Sequence, residues 1–185
     1  LDLCSGPGGK ATQIAEALGD TGIVAASDRV HSRVRRVREN AHRLGLSQVL
    51  TFVADARLSG PGNFDRVLAD VPCANTGVLG RHPEARWNKS ANQLVDLVEI
   101  QQQILHRAFE SLRPGGVLVY STCSLEPEEN EAPVRQFLAS GPPAQLEDAR
   151  RLFPRKAWAG DFIQTLPGRD PGDGCFAARI RKLTV

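Results

Sequence analysis

Short apolar runs that alternate with helical segments constrain the fold of this chain more than any other feature. Three of the runs are each followed directly by an aspartate. They are residues 23–27 before Asp28, 49–54 before Asp55 and 64–69 before Asp70. Strands separated by helices form parallel sheets with helices on both faces. Because ligands bind at the carboxyl ends of parallel strands, the three carboxylates are expected to line one site, of the kind that holds an adenosine-type cofactor.

The remaining pattern completes this sheet. Residues 1–4 read as the end of a first strand, and residues 115–122 form an apolar run in the middle of the chain. Helical segments are predicted at residues 11–18, 31–45, 91–112 and 127–138. Two further strands, 162–166 and 175–183, flank a turn-rich connector that suits an antiparallel hairpin. We therefore predict an α/β fold with a mostly parallel sheet and an antiparallel C-terminal hairpin strand.

A glycine-rich turn joins the first strand to the first helix. It reads Ser5-Gly6-Pro7-Gly8-Gly9-Lys10. Such a turn lets a ligand approach the backbone and directs amide groups at it, although a plain tight turn is the alternative. It is not a phosphate-binding loop, which would need a glycine at the position of Cys4 and a hydroxyl residue at that of Ala11. Asp28 lies about 20 residues further on, where nucleotide-binding folds place the acid for ribose hydroxyls. It also suits a helix cap.

The apolar run of residues 115–124 delivers Cys123 to its carboxyl end. A thiol at that place is either a buried small hydrophobe or a nucleophile. The chain has four cysteines, dozens of residues apart and without a Cys-x-x-Cys pair, so we expect no metal site. For Cys4 and Cys175 a packing role is favoured.

Composition bounds the classes of function that remain. The 185 residues, 41% of them hydrophobic, suit a single domain over residues 1–185. No apolar run approaches the roughly 18 residues of a membrane span, and no secretory signal opens the chain. We therefore expect a cytoplasmic protein without a membrane partner, and a monomer. The net charge of +2 is too small to indicate nucleic-acid binding by itself. Methionine is absent and the chain begins inside a strand, which predicts a domain truncated at its N-terminus.

The polar segment 74–90 is long enough to be a functional loop. Its Arg81, His82, Arg86 and Trp87 suit a grip on phosphate and stacking on bases. A capping loop with Trp87 in the core is the alternative. The arginines of segment 31–45 are interpreted as a solvated basic face rather than as an RNA contact.

Together, these motifs resemble the RNA cytosine-5 methyltransferases, and most closely the bacterial Sun or Fmu type that acts on small-subunit ribosomal RNA. The motifs that carry the resemblance are residues 2–10 (Asp-Leu-Cys-Ser-Gly-Pro-Gly-Gly-Lys), 70–77 (Asp-Val-Pro-Cys-Ala-Asn-Thr-Gly), 120–124 (Tyr-Ser-Thr-Cys-Ser) and 128–131 (Glu-Glu-Asn-Glu). The chain departs from the family's usual Cys-Ala-Ala-Pro at residues 4–7, and it has Cys175 where an aromatic residue is common. The N-terminal RNA-binding region that family members usually carry is not part of this sequence.

The resemblance implies a class I, Rossmann-like methyltransferase fold with S-adenosylmethionine as the methyl donor. The turn from Cys4 to Lys10 would hold the methionine end of that cofactor. Asp28 would bind the ribose hydroxyls, Asp55 the adenine amine, and Asp70 would lie between the cofactor and the target base. The expected partner is RNA, with ribosomal RNA as the expected substrate.

The resemblance also assigns Cys123 as the nucleophile and Cys73 to release of the covalent adduct. Carbon 5 of cytosine is a poor nucleophile, and adding a thiolate to carbon 6 raises its electron density. Three alternatives stay open from the sequence. They are a non-catalytic RNA-binding or assembly module with the same fold, a DNA cytosine methyltransferase, in which the Pro-Cys cysteine is the nucleophile, and, more remotely, a nicotinamide-dependent reductase.

Overall fold

The computed structural model describes residues 1–58, 62–81, 83, 91–153 and 160–184 of the chain. Within these ranges the helices are α1 Gly9–Leu18, α2 His31–Arg43, α3 Ala91–Glu110, α4 Glu131–Ala139 and α5 Ala149–Leu152. The strands are β1 Val24–Asp28, β2 Val49–Val53, β3 Phe64–Asp70, β4 Leu112–Thr122, β5 Ala144–Glu147, β6 Ile163–Thr165 and β7 Cys175–Lys182. Strands and helices alternate through β4, as the sequence predicts, except between β2 and β3, where no helix is found among the described residues.

The first residues join two parallel strand pairs into one sheet. β1 pairs with β2, and β3 pairs with β4, both in parallel. Asp2 forms parallel bridges to Ala26 of β1 and to Leu68 of β3, so residues 1–3 take the place of a short strand between them. The amide of Asp2 donates to the carbonyl of Ala25 at 2.8 Å. The order across the sheet is therefore β2, β1, residues 1–3, β3, β4.

The last strand continues this sheet in the antiparallel sense. β7 pairs with β4, and β5 and β6 pair with successive parts of β7. The β6–β7 pairing confirms the predicted C-terminal hairpin. The strand β5 was not predicted, because its apolar–polar alternation, Ala-Gln-Leu-Glu, spans only four residues, which pair with β7.

The boundary between α3 and β4 differs from the prediction. The helix ends at Glu110 rather than at residue 112, and the strand begins at Leu112. The register between β3 and β4 shifts beyond Phe64, and Gly115 has a φ of 76°. The glycine pair therefore forms an irregularity inside the strand instead of its start, since only glycine adopts such a φ without strain.

The apolar core lies on both faces of the sheet. Leu118 and Tyr120 of β4 pack with Leu105 of α3 and Phe137 of α4 in the larger cluster. The alternate residues of the same strand face the other side, as the two-residue period of a strand requires. A smaller cluster there joins α1 and α2 to β1 through Ala11, Ala15, Val24, Ala26 and Val37. This arrangement leaves the carboxyl ends of β1, β2, β3 and β4 at one edge.

No helix in the described part of the chain is long and apolar enough to cross a membrane. Among the described residues, no group of three or more His, Cys, Asp or Glu side chains is placed to hold a metal ion.

Candidate active site

Two cysteines meet at the carboxyl ends of β3 and β4. Cys73 lies three residues beyond Asp70, the last residue of β3, and Cys123 follows directly after β4. The parallel register pairs Asp70 with Ser121, which brings the two strand ends level. The sulfur atoms of Cys73 and Cys123 are 3.3 Å apart, although 50 residues separate them in the chain. The structure thus brings together the two thiols that the sequence singled out.

Asn75 is a third member of this group that the sequence analysis did not single out. The Oδ1 atom of Asn75 lies 2.8 Å from the sulfur of Cys123 and 3.7 Å from that of Cys73. Asn75 has a φ of 58°, in the left-handed region that asparagine tolerates better than most residues. The signal available in the sequence was the Asn-Thr-Gly turn after Pro72-Cys73.

The two thiols are electrostatically unequal. A hydrogen bond from the Cys73 thiol to the sulfur of Cys123 lowers the pKa of Cys123, and it outweighs burial and the charge of Asp70, which raise that pKa; the Lys10 ammonium lowers it further. The same hydrogen bond raises the pKa of Cys73, and burial raises it further. Cys123 is therefore the better thiolate and Cys73 remains a proton donor. A lowered thiol pKa is what a nucleophilic cysteine needs.

Asp70 connects this thiol pair to the glycine turn. Its Oδ2 lies 2.5 Å from Nζ of Lys10, and its Oδ1 accepts a 2.7 Å hydrogen bond from the hydroxyl of Ser121. Both contacts hold the carboxylate at the strand end, near enough to Cys123 for its charge to act on that thiol. Asp70 also lines the cavities on both sides of this point.

Gly77 lets two loops close behind Cys123. Its amide donates to the carbonyl of Cys123 at 2.9 Å, and its own carbonyl accepts from Gly174 at 2.8 Å. A Cβ atom at this position would lie 2.4 Å from the carbonyl oxygen of Gly174 and 2.8 Å from that of Cys123. Only glycine fits there without moving one of these loops.

A cavity of about 310 Å³ opens beside the site. Its lining includes five predicted cofactor residues, the strand-end acids Asp28, Asp55 and Asp70 with Cys4 and Gly6 of the turn, and apolar side chains of α3. The structure therefore brings the three strand-end aspartates to one cavity, as predicted. Ligand cavities of this kind combine apolar walls with a few placed polar groups.

Asp28 is almost fully buried and lies just before α2, whose N-cap residue is Val30, without a side-chain capping hydrogen bond, so Asp28 is not the helix cap. Its Oδ1 accepts from the amide of Val30 at 2.9 Å, next to the start of α2, while its Oδ2 accepts from the amide of Gly6 at 3.2 Å. The guanidinium of Arg33 lies 3.9 Å from the same Oδ2. The carboxylate thus ties the glycine turn to β1.

Asp55 is held by a neighbouring arginine. The guanidinium of Arg57 grips both carboxylate oxygens, with its Nη2 at 2.6 Å from Oδ2 and its Nε at 3.0 Å from Oδ1. These hydrogen bonds lower the pKa of Asp55 to about 2. The carboxylate is ionised at neutral pH and can accept a hydrogen bond from a ligand amine.

The glycine turn encloses a second cavity, of about 230 Å³. Cys4, Ser5, Gly6, Pro7, Gly9 and Lys10 line it, with Asp2 and Asp70. Gly8 has a φ of 110° just before α1, and the hydroxyl of Ser5 donates to the carbonyl of Ser27 at 2.9 Å. Burial, with nearby carboxylates, raises the pKa of Cys4 to about 12, so it stays an uncharged thiol.

Asp2 is a polar residue of this cavity that the sequence analysis did not assign. It is 1% exposed, and neither of its carboxylate oxygens has a hydrogen-bond partner within the described residues. Burial, and then the charge of Asp70, raises the pKa of Asp2 to about 7. Its signal in the sequence was an acid in the first strand, three residues before the glycine-rich turn.

Only one of the four residues predicted to contact RNA lies in the described part of the chain. Arg81 is 73% exposed at its side chain and forms an ion pair of 2.9 Å with Asp173. His82, Arg86 and Trp87 lie outside the described residues.

Comparison with known proteins identifies the family of this site. The family described as 16S rRNA methyltransferase RsmB/F matches residues 1–181. The chain is 41% identical over 187 aligned residues to ribosomal RNA small subunit methyltransferase B of Yersinia pseudotuberculosis, and 40% identical over 186 to that of Cronobacter sakazakii. It covers 42% of each of these relatives, and 98% of the chain is matched.

Solved structures agree with this match. The structure of NSun6 from Pyrococcus horikoshii with SFG superposes with a TM-score of 0.85 at 31% identity, covering 100% of this chain and 47% of that one. A methyltransferase homologue protein from Pyrococcus horikoshii gives 0.82 at 29% identity, covering 98% of this chain and 60% of that one. The fold is the predicted class I, Rossmann-like methyltransferase fold. The chain belongs to the RsmB/F family of 16S rRNA methyltransferases.

Proposed function

We propose that this chain is the catalytic domain of an S-adenosylmethionine-dependent enzyme that methylates carbon 5 of a cytosine in RNA. The observation that carries the proposal is the pair of unequal thiols 3.3 Å apart beside the Asp70 carboxylate. Family membership supports the reaction class. Because the chain spans 42% of the length of the curated relatives, the substrate of the whole protein belongs to the proposal too. The expected substrate is small-subunit ribosomal RNA.

The cavities fit the proposed cofactor. Asp28 is nearly buried beside the turn and lines the cavity, so its carboxyl oxygens can accept hydrogen bonds from ribose hydroxyls. Asp55 is ionised and can accept a hydrogen bond from the adenine amine. The unpartnered carboxylate of Asp2 suits an ammonium group at the other end, where residues 4–10 enclose the second cavity. S-adenosylmethionine, when bound, supplies an electrophilic methyl group. A related protein, NSun6 from Pyrococcus horikoshii, was solved with SFG, an analogue of this cofactor.

The thiol pair accounts for the two halves of the reaction. The Cys123 thiolate forms a bond to carbon 6 of the cytosine, and the electron pair displaced from the ring double bond makes carbon 5 nucleophilic. Asp70 lies next to Cys123 and would hydrogen-bond the polar edge of the base. After methylation, a base removes the proton from carbon 5, the double bond re-forms and the bond to Cys123 breaks. We assign Cys73 to this release step.

The target base must reach the strand ends, so it is either single-stranded or turned out of its stack. Arg81, His82, Arg86 and Trp87 belong to the segment proposed to contact the RNA. We further propose that the protein acts as a monomer in the bacterial cytoplasm. Light scattering of the purified full-length protein tests the first point.

Two cysteine variants of the full-length protein test the mechanism with a ribosomal RNA transcript and S-adenosylmethionine. Cys73→Ala is expected to accumulate a covalent protein–RNA adduct that survives denaturing electrophoresis, and Cys123→Ala to form none. Cys175→Ala is the matched control, because that exposed thiol is paired with Thr165 and not with the other cysteines. Trapping by Cys123→Ala and not by Cys73→Ala would instead match the DNA-type use of the Pro-Cys cysteine.

A further inference from the structure

Glu129 is a buried carboxylate that holds the segment carrying Cys73. It is 0% exposed, and both of its carboxylate oxygens accept from the amide of Ala74, at 2.9 and 3.1 Å. Its Oε1 also accepts from Nε2 of Gln101 at 2.9 Å, and the same Nε2 contacts the carbonyl of Pro72 at 2.9 Å. The residues directly before and after Cys73 are therefore fixed by one network.

A carboxylate is the side chain this network requires. The groups that face it, a backbone amide and a side-chain amide nitrogen, are both donors, and a carboxylate is an acceptor at every lone pair. None of the ion pairs found within the described ranges includes Glu129. Burying a carboxyl group without a cation beside it is costly unless hydrogen bonds replace its hydration, and these contacts supply them.

Asn130, the next residue, holds the segment carrying Cys123 in the same way. Its Nδ2 donates to the carbonyl of Ser124 at 2.9 Å, and its Oδ1 accepts from the hydroxyl of Thr122 at 2.5 Å. The Thr122 hydroxyl in turn accepts from the amide of Ser124 at 3.1 Å. The residues on both sides of Cys123 are therefore fixed by one asparagine that is 2% exposed.

Two adjacent residues thus anchor two thiol segments that lie 50 residues apart in the chain. The anchor is itself tied to β4, because the hydroxyl of Tyr120 donates to the carbonyl of Glu129 at 2.7 Å. We propose that Glu129 and Asn130 are positioning residues that set the Cys73–Cys123 geometry, Glu129 for adduct release and Asn130 for adduct formation. This inference rests on the proposed cytosine methylation.

The two variants Glu129→Gln and Asn130→Ala should separate the two steps. In Glu129→Gln an amide NH₂ replaces an acceptor opposite Ala74 or Gln101, so the Cys73 segment must shift. Displacing a catalytic group by about 1 Å costs roughly 10²-fold in rate, so adduct release should slow by that order and adduct should accumulate. In Asn130→Ala the Cys123 segment loosens, so adduct should form about 10²-fold more slowly, without accumulation. Both are measured in the full-length protein with a ribosomal RNA transcript, by denaturing electrophoresis and by single-turnover methyl transfer.

Glu128→Gln is the matched control. It makes the same chemical change one residue earlier, at an exposed side chain, and should leave both steps at the wild-type rate. Gln101→Met is a milder variant of similar volume that removes donors to Glu129 and Pro72 and keeps the carboxylate. It should accumulate adduct in the same sense as Glu129→Gln, so the test survives if the latter does not fold.

A second readout needs neither RNA nor cofactor. The Cys73 thiol lowers the pKa of Cys123 through their hydrogen bond, so moving Cys73 away should shift the pH profile of Cys123 alkylation by iodoacetamide to higher pH. Glu129→Gln should show this shift and Glu128→Gln should not. Wild-type adduct levels and an unshifted profile in both Glu129→Gln and Gln101→Met would overturn the inference. Absence of trapping in Cys73→Ala would overturn the proposed release step instead, and the alkylation profile would still decide whether Glu129 positions Cys73.

Discussion

Asp2→Asn is expected to stabilise the protein, and to do so more at high pH than at low pH. The wild-type carboxyl has a pKa of 3.8 in the unfolded chain and about 7 in the folded one, because it is buried next to Asp70. The folded state therefore holds this proton over a range in which the unfolded state has lost it. The contribution of the Asp2 carboxyl to the free energy of unfolding is therefore highest below about pH 4. It falls as the pH rises towards about 7 and stays constant above that.

The size of the effect follows from the shift. Each pKa unit corresponds to about 1.4 kcal/mol, so a rise from 3.8 to about 7 amounts to about 4 kcal/mol in full. About 3 kcal/mol of this falls between about pH 5 and pH 8. Asparagine does not titrate, so the free energy of unfolding of Asp2→Asn relative to wild type should increase by that amount over the same interval.

Urea denaturation of the cofactor-free protein at a series of pH values measures this difference. Asp65→Asn is the control, because that side chain is 72% exposed and pairs with Arg113 at the surface. It should change stability by less than about 1 kcal/mol at every pH. If the difference in free energy of unfolding between wild type and Asp2→Asn stays constant from about pH 5 to pH 8, then Asp2 does not titrate near neutrality in the folded protein.

Three further changes probe the site and the core. Gly77→Ala should lower the free energy of unfolding, measured by urea denaturation, by about 1–3 kcal/mol and should impair adduct formation, because its Cβ would lie 2.8 Å from the carbonyl oxygen of Cys123. Gly80→Ala is its control and should behave as wild type, because a Cβ there meets nothing within 4 Å. Lys10→Met removes a charge that lowers the pKa of Cys123, so alkylation of that thiol should shift to higher pH, and an unshifted profile would contradict the contact. Leu105→Ala empties a fully buried position and should cost about 2–5 kcal/mol, measured by urea denaturation; a smaller loss would mean that the core closes over the cavity.

The strand ends were predictable because their signals are local. An apolar run followed by an acid identifies β1, β2 and β3, and parallel strands place such acids at one edge whatever the details of packing. The same reasoning brought Cys73 and Cys123 to neighbouring strand ends. Their separation of 3.3 Å was not predictable, because it depends on Gly77, on the Asn75 turn and on the register of β3 with β4.

Other features depend on contacts that the local sequence does not encode. The acidic run 128–131 predicts the first turn of a helix, because negative side chains suit the helix dipole, yet α4 begins only at Glu131, and Glu129 is buried against Ala74. Asp55 was expected to bind the adenine amine, and its contact with the guanidinium of Arg57 was not predicted. Both outcomes are decided by partners whose positions the tertiary fold sets.

The place of β7 in the sheet has a consequence for synthesis on the ribosome. β7 pairs with β4, β5 and β6, and Gly174, just before it, donates to the carbonyl of Gly77 behind Cys123. A nascent chain that has exposed both thiols still lacks the strand that closes this half of the sheet, because chains emerge from the N-terminus onwards. The Gly77–Gly174 contact behind Cys123 and the antiparallel half of the sheet are therefore complete only after residues up to Lys182 have left the ribosome.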